Sequence, residues 1–234
     1  MQDAMPEDSP GPEAGQAPPS LSDGIYRQLR MALISGAYRP GERINISRLA
    51  ERFGTSVTPV REAIFQLVRE NALEFRAGHQ PRVPVLDVDH YIMVRETRVP
   101  VERLAARLAA PRLTGEALLR LEQLHRDFGA QERAQNWHGA LAANRAFHFM
   151  IYNASDNPTL VRVIENLWLI AGPTAAQQYP SFLNAQSEPH HHMRFIAAVR
   201  EGAFDDAAEE LVNDLREGSF RIVSYLKGRN GAEG

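Results

Sequence analysis

The chain has 234 residues, 44% of them apolar, enough for one large domain or two small ones with a real core. It has no cysteine, which excludes disulfides and thiolate metal sites, and a net charge of −3 that by itself says nothing about nucleic acid. No stretch is long and apolar enough to cross a membrane, and the N-terminus lacks a signal-peptide pattern, so a cytoplasmic protein is expected.

The charge is unevenly spread. Residues 1–20 carry four acids and no base, 21–84 carry ten arginines against six acids, and 85–234 carry 16 bases against 19 acids. A modestly basic module is joined to a mildly acidic one, which suits a domain facing phosphates beside one that does not. Residues 1–20 are rich in Pro, Gly, Ala and acids and read as a disordered tail.

Order is expected from Leu21. Ile25, Leu29, Ala32, Leu33 and Ile34 make a helical stripe closed by Gly36, and Tyr38-Arg-Pro-Gly41 is a turn. Ile46, Leu49, Ala50 and Phe53 mark a short helix ended by Gly54. Ser56-Val-Thr-Pro-Val-Arg-Glu-Ala-Ile64 then opens another. Ser56 suits the N-cap, Pro59 sits where a missing N–H costs nothing, and Glu62 favours the positive helix end. Val60, Ile64, Phe65, Leu67 and Val68 supply its apolar face, while Ser56, Thr58 and Arg61 stay free at its amino end. Two short helices with a tight turn have the shape of a helix-turn-helix; the plain alternative is a helical hairpin with a solvated end. Leu73-Glu-Phe75 and Val83-Pro-Val85 read as a small hairpin, or wing, whose tip carries Arg76, His79 and Arg82.

From Asp87 onward six helical segments are expected: 88–110, 114–133, 136–154, 157–179, 187–202 and 204–227. The fold class is mainly α: a winged helix-turn-helix over 21–85 and an all-helical bundle over 86–230. Several polar residues interrupt apolar stripes in the bundle. Leu141, Asn144, His148 and Ile151 share one face. His192 heads a stripe with Phe195 and Val199, and Asp214 lies on that of Ala207, Leu211 and Gly218. Arg98 sits amid Tyr91, Val94, Val101, Ala105 and Leu108. A buried guanidinium needs an anion: Glu102 one turn on, or a ligand carboxylate, which its fork fits bidentately.

Ile25-Tyr-Arg-Gln-Leu-Arg30, Arg39-Pro-Gly-Glu-Arg43, Leu49-Ala-Glu-Arg-Phe-Gly54 and Ser56-Val-Thr-Pro-Val-Arg-Glu-Ala-Ile64 resemble the GntR family of bacterial transcriptional regulators. Glu102-Arg-Leu-Ala-Ala-Arg-Leu-Ala-Ala110, Phe147-His148 and Ala197-Ala-Val-Arg-Glu-Gly202 resemble the FCD effector-binding domain of its FadR subfamily, and six helices rather than seven are similar to the VanR-type branch. The resemblance implies a homodimer on double-stranded operator DNA, with Arg48, Ser56, Val57, Thr58, Arg61 and His79 as DNA-binding residues. The family usually has arginine where Val57 stands. Valine cannot make arginine's bidentate guanine contact but could touch a thymine methyl.

Metal-binding FCD domains use an acidic residue, a histidine four later, a second histidine, and a third 22 residues beyond that. The corresponding positions here are Asn144, His148, His192 and Asp214, with Asn in place of the acid and Asp in place of the last histidine. Two imidazoles, a carboxylate and an amide oxygen are a credible shell for Zn²⁺ or another first-row divalent metal. A metal-free, hydrogen-bonded polar cluster is the alternative. His190 or His191 replaces His192 if the register is off. A metal and the Arg98 guanidinium are two cationic centres amid apolar stripes and would select a compact anion with oxygen donors, so a small organic-acid effector held by Arg98, Asn144 and the metal is expected. The competing reading is a metal-dependent helical hydrolase or lyase with an appended DNA module, though no nucleophile–base pair or His-Glu-x-x-His arrangement is present; a third is a purely architectural helical protein.

Overall fold

The computed structural model describes residues 20–75, 78–178 and 190–230. Helix α1 (Leu21–Ile34) opens on a capping box in which Ser20 and Asp23 satisfy each other's backbone N–H. Helices α2 (Ile46–Phe53) and α3 (Val57–Arg69) follow. Asn45 caps α2 through the Arg48 N–H, and Gly54 ends it in the left-handed conformation (φ 61°) that glycine adopts without strain. Ile25, Leu29, Leu33, Leu49, Val60, Ile64 and Leu67 meet in one apolar cluster.

Several expectations for this region change. Phe65 lies outside that cluster: it is 41% exposed and packs edge-to-face on Phe75. One face of α3 cannot hold Val60, Ile64, Leu67 and Phe65 together, and Phe65 falls off its edge. Ser56 occupies the N-cap of α3, but its side chain makes no capping bond. The wing is also slighter than a hairpin of two strands. Glu74 and Arg82 exchange backbone hydrogen bonds at 2.9 Å, and Arg82 also bridges to Arg43, so the segment around 42–44 forms a third line. Arg82 pairs with Glu74 in this ladder and does not stand at a basic tip. Arg76 lies outside the described residues.

The second unit runs α4 (Val88–Ala109), a 3₁₀ turn (Ala110–Arg112), α5 (Gly115–Arg133), α6 (Trp137–Ala154), α7 (Pro158–Ala175), a 3₁₀ turn (Ala176–Gln178), α8 (His191–Arg200) and α9 (Phe204–Asn230). Asp87, Asn136 and Asn157 cap α4, α6 and α7 through side-chain oxygens. The helix expected over 157–179 gives way to its 3₁₀ turn after Ala175, and 179–189 lie outside the described residues. The bundle core joins Ala105, Leu121, Phe147, Ile151, Phe195 and Leu211.

The units are packed closely. Leu169 of α7 belongs to the N-terminal apolar cluster. Arg30 of α1 reaches Glu165 of α7 at 3.1 Å. Gly172 lies so near α1 that a Cβ there would stand 2.8 Å from Ile34 Cα, so only glycine fits without movement. Among the described residues no helix is long and apolar enough to cross a membrane.

Candidate functional site

A cavity of about 390 Å³ lies between α4, α6, α7 and α9 and is lined by Arg98, Asn144, His148, Trp168 and Asp214 among others. That is within the usual size range of small-molecule pockets. His148 and His192 are 3% and 1% exposed. Ligand atoms of His148, His192 and Asp214 lie within 4.8 Å of one another. Three of the four residues expected at a metal are therefore together, and Asn144 lines the same cavity one turn from His148.

A chain of hydrogen bonds fixes the His148 ring. Trp168 Nε1 donates to Glu102 Oε1 (3.1 Å), and the Tyr152 hydroxyl donates to Glu102 Oε2. With its proton committed to that carboxylate, Tyr152 oxygen accepts from His148 Nδ1 at 3.2 Å. The tautomer assigned from this network carries its proton on Nδ1 and leaves a bare lone pair on Nε2. Nε2 faces Asp214 Oδ2 at 3.0 Å. Two acceptors at that distance repel unless a cation, proton or metal, lies between them.

The rest of the cluster has the same bias. Burial pushes the His192 pKa down to about 4 against the pull of Asp214, so the ring is neutral at pH 7. Its Nε2 is buried with no hydrogen-bond partner and lies 3.7 Å from Asp214 Oδ2. Burial alone would raise the Asp214 carboxyl, but the facing His192 and His148 rings hold it well below the usual carboxylate range. Neutral imidazoles and an ionised carboxylate are the protonation states a divalent metal requires. Tetrahedral zinc with bonds of about 2.1 Å sets its ligand atoms about 3.4 Å apart. The separations of 3.0 and 3.7 Å bracket that value. The residues present fit such an ion.

The neighbouring histidines are engaged differently. His190 also approaches Asp214, Nδ1 to Oδ1 at 3.8 Å, but it is the N-cap of α8, where the same Nδ1 accepts the His192 N–H, and burial lowers its pKa to about 3. His191 pairs with Glu210 at 2.6 Å and Glu217 at 3.3 Å. A second group, His125, His190 and His192, lies on the other side of the His192 ring. His192 is thus the member of the triplet that joins His148 and Asp214.

Arg98 is 7% exposed, and its protein partner is Glu102, with Nε to Oε1 at 2.6 Å and Nη2 to Oε2 at 3.5 Å. Its guanidinium also lies 4.7 Å from the Trp168 ring centre. The nearer of the two anions expected from the sequence is the one in place. Arg145, which the sequence pattern did not single out, lines the cavity with a buried Nε that has no hydrogen-bond partner, and burial lowers its pKa. Its signal was only its place one residue after Asn144, at the edge of the apolar face.

In the N-terminal unit, Arg48, Ser56, Thr58, Arg61 and His79 are exposed, whereas Val57 is half-buried and packs against the core. Arg61 and His79 line one groove between α3 and the wing; Arg48 lines another with Arg43 and Arg52. Two arginines beside Arg48 were not foreseen. Arg52 lies one turn after Arg48 on α2, and Arg43 joins them because the segment before α2 folds back along the wing.

Residues 21–83 match the family of bacterial regulatory proteins, gntR family, and residues 93–217 match the FCD domain. The HTH-type transcriptional regulator McbR of Escherichia coli (strain K12) is 32% identical over 184 residues, 77% of this chain and 83% of that protein. The uncharacterized HTH-type regulator YdhC of Bacillus subtilis (strain 168) is 29% identical over 75% of this chain and 79% of its own length. The solved structure of E. coli McbR/YncC superposes with a TM-score of 0.80 at 27% identity, covering 90% of this chain and 99% of that one. A regulator structure from Rhodococcus sp. RHA1 shares the fold, at TM-score 0.71 and 18% identity. A DNA-reading winged helix joined to an FCD bundle defines a bacterial transcriptional regulator rather than an enzyme, as the names of these relatives agree. The chain belongs to the GntR family, with a GntR helix-turn-helix domain followed by an FCD domain.

Proposed function

We propose that this regulator binds a pseudo-palindromic operator as a homodimer in the cytoplasm and that an organic acid bound in the FCD cavity controls that binding. One winged helix offers few base contacts, and pairing two half-sites multiplies specificity. Arg61 and His79 address one groove of each half-site, with Arg48, Ser56, Thr58 and the edge of Val57 beside them. The division at 85/86 separates the DNA-reading part from the effector part, with α1 bridging them.

His148, His192 and Asp214 hold a first-row divalent metal, with the Asn144 amide oxygen as a fourth ligand or as a contact to the effector. The observation that carries this is the 3.0 Å approach of His148 Nε2 to Asp214 Oδ2 beside the orphaned His192 Nε2. Once bound, the metal supplies a Lewis-acid centre for a carboxylate oxygen. Arg145, with its unpaired Nε, is a second cation for the same group; Arg98 holds Glu102 in place and turns a side of its guanidinium to the cavity. A buried site with positive centres and apolar walls selects an anion with an apolar body.

The test is an operator gel shift with a panel of carboxylates, with and without chelator. Carboxylates should change operator affinity only with metal present, and His148→Ala should abolish the response while acid-free operator binding persists. Equal responses in chelated protein would defeat this reading.

A further inference from the structure

The cavity is not confined to the FCD domain. Met31, Ala32, Ile34 and Ser35, the last turn of α1, form part of its wall. These residues belong to the helix that anchors the DNA-binding domain, whose Ile25, Leu29 and Leu33 pack with Val60, Ile64 and Leu67 of α3.

Along three helices the charged and imidazole groups of the wall gather at one end, while the other end is mostly apolar, with the Tyr91–Ser219 hydroxyl pair and Ser35 its polar members. On α9 the wall runs from Asp214 to Ile222, on α7 from Trp168 to Ala175, and on α4 from Arg98 back to Tyr91. Each is seven or eight residues, about 10–12 Å at the α-helical rise. The polar ends meet: Trp168 lies against both Arg98 and His148, and His148 faces Asp214. The apolar ends meet too, since Tyr91, Ala171 and Ile222 share one cluster and Ala175 packs against it. Beside that second end, Gly172 touches the Ile34 backbone. Met31, next to Ala32, is 43% exposed.

From this gradient we infer that the effector is read by both domains: its carboxylate is held at the polar end, and its apolar chain lies against Met31 and Ala32 of α1. The inference rests on the carboxylate reading above and extends it. The effector is an acid with an apolar tail of roughly 10 Å, not a compact polar acid. Met31 and Ala32 then set the preferred chain length. The ligand also bears directly on the helix under the recognition helix, so occupancy and DNA binding are coupled through one contact. A ligand shifts a conformational equilibrium only by interacting differently with the two states, and an acid too short to reach α1 has no such contact.

The test uses metal-loaded, full-length protein and straight-chain monocarboxylates from acetate through octanoate, measured by calorimetry and operator gel shift. In the wild type, affinity should rise with chain length. Ala32→Leu fills the α1 side and should weaken octanoate roughly tenfold while leaving acetate unchanged. Met31→Ala removes apolar contact and should weaken octanoate a few-fold. Both variants should bind operator normally without acid, which shows that they fold. At saturation, octanoate should shift operator affinity more than acetate does. If the α1 substitutions affect all lengths equally or none, or if saturating acetate acts as strongly as octanoate, this inference is overturned while the carboxylate reading stands. If no acid binds at any length, the carboxylate reading itself fails and this one with it.

Discussion

His148 presents Nε2 to the Asp214 carboxylate at 3.0 Å, with its other nitrogen turned to Tyr152 at 3.2 Å. Tyr152 is committed to Glu102, and Glu102 to Arg98 and Trp168. Four side chains that touch no metal thus decide which nitrogen of His148 is available to one. Tyr152→Phe removes the oxygen that fixes this orientation but none of the proposed ligands. We expect metal affinity to fall roughly 10- to 100-fold. Competition against a coloured chelator measures it, and unchanged affinity would mean the ring is oriented by packing alone.

Acid should destabilise the metal-free protein. His190 and His192 have folded pKa values of about 3 and about 4, below the ordinary 6.5, chiefly because they are buried. Between those values the unfolded chain binds more protons than the folded one, so stability falls as pH drops through 6.5 and continues to fall towards 4. Asp214, held below its ordinary value by the facing rings, adds a loss at still lower pH. Urea midpoints of chelated protein should decline steadily from pH 7 to pH 5. A flat profile would show that these rings are not buried neutral.

Two glycine-to-alanine changes should have opposite signs. A Cβ at Gly172 meets the backbone of Ile34, which cannot swing aside. Gly172→Ala should therefore cost roughly 1–3 kcal/mol and loosen α1 from α7. A Cβ at Gly218 of α9 meets nothing within 4 Å. Gly218→Ala should gain about 0.5–1 kcal/mol through helix propensity. Thermal melts of both variants check the pair, and a neutral Gly172→Ala would mean the domains are not in close contact.

Two basic residues of the winged helix should differ sharply. Arg61 is exposed at the amino end of α3, so Arg61→Ala should cost roughly 1–3 kcal/mol of operator affinity while the fold persists. Arg82 is paired with Glu74, so Arg82→Ala should matter much less for DNA. Fluorescence anisotropy on operator DNA orders the two; the reverse order would move the reading surface from α3 to the wing.

Much of this was legible in the sequence because helices announce themselves every three to four residues. The stripes of Ile25–Leu29–Leu33 and Leu141–Asn144–His148 predicted both the helices and the faces they bury. The wing was only partly legible, because bridges at Glu74, Arg82 and Arg43 are too short to impose an alternating pattern. Phe65 kept the helical spacing yet lies outside the core, since Phe75, ten residues on, offers it an aromatic partner. The spacing of His148, His192 and Asp214 was recoverable through the family resemblance. The pairing of Tyr152 with Glu102 across 50 residues was not, and nor was the α1 wall of the cavity. Both depend on how helices distant in sequence are set against one another.

Native mass spectrometry with elemental analysis of the purified full-length protein tests the central claim most directly. A dimer carrying about one first-row metal ion per chain, lost in Asp214→Ala and in His192→Ala without loss of the dimer, is the expected result. A protein that stays metal-free after incubation with zinc, cobalt, nickel and manganese, yet still releases operator DNA in response to an organic acid, would contradict it.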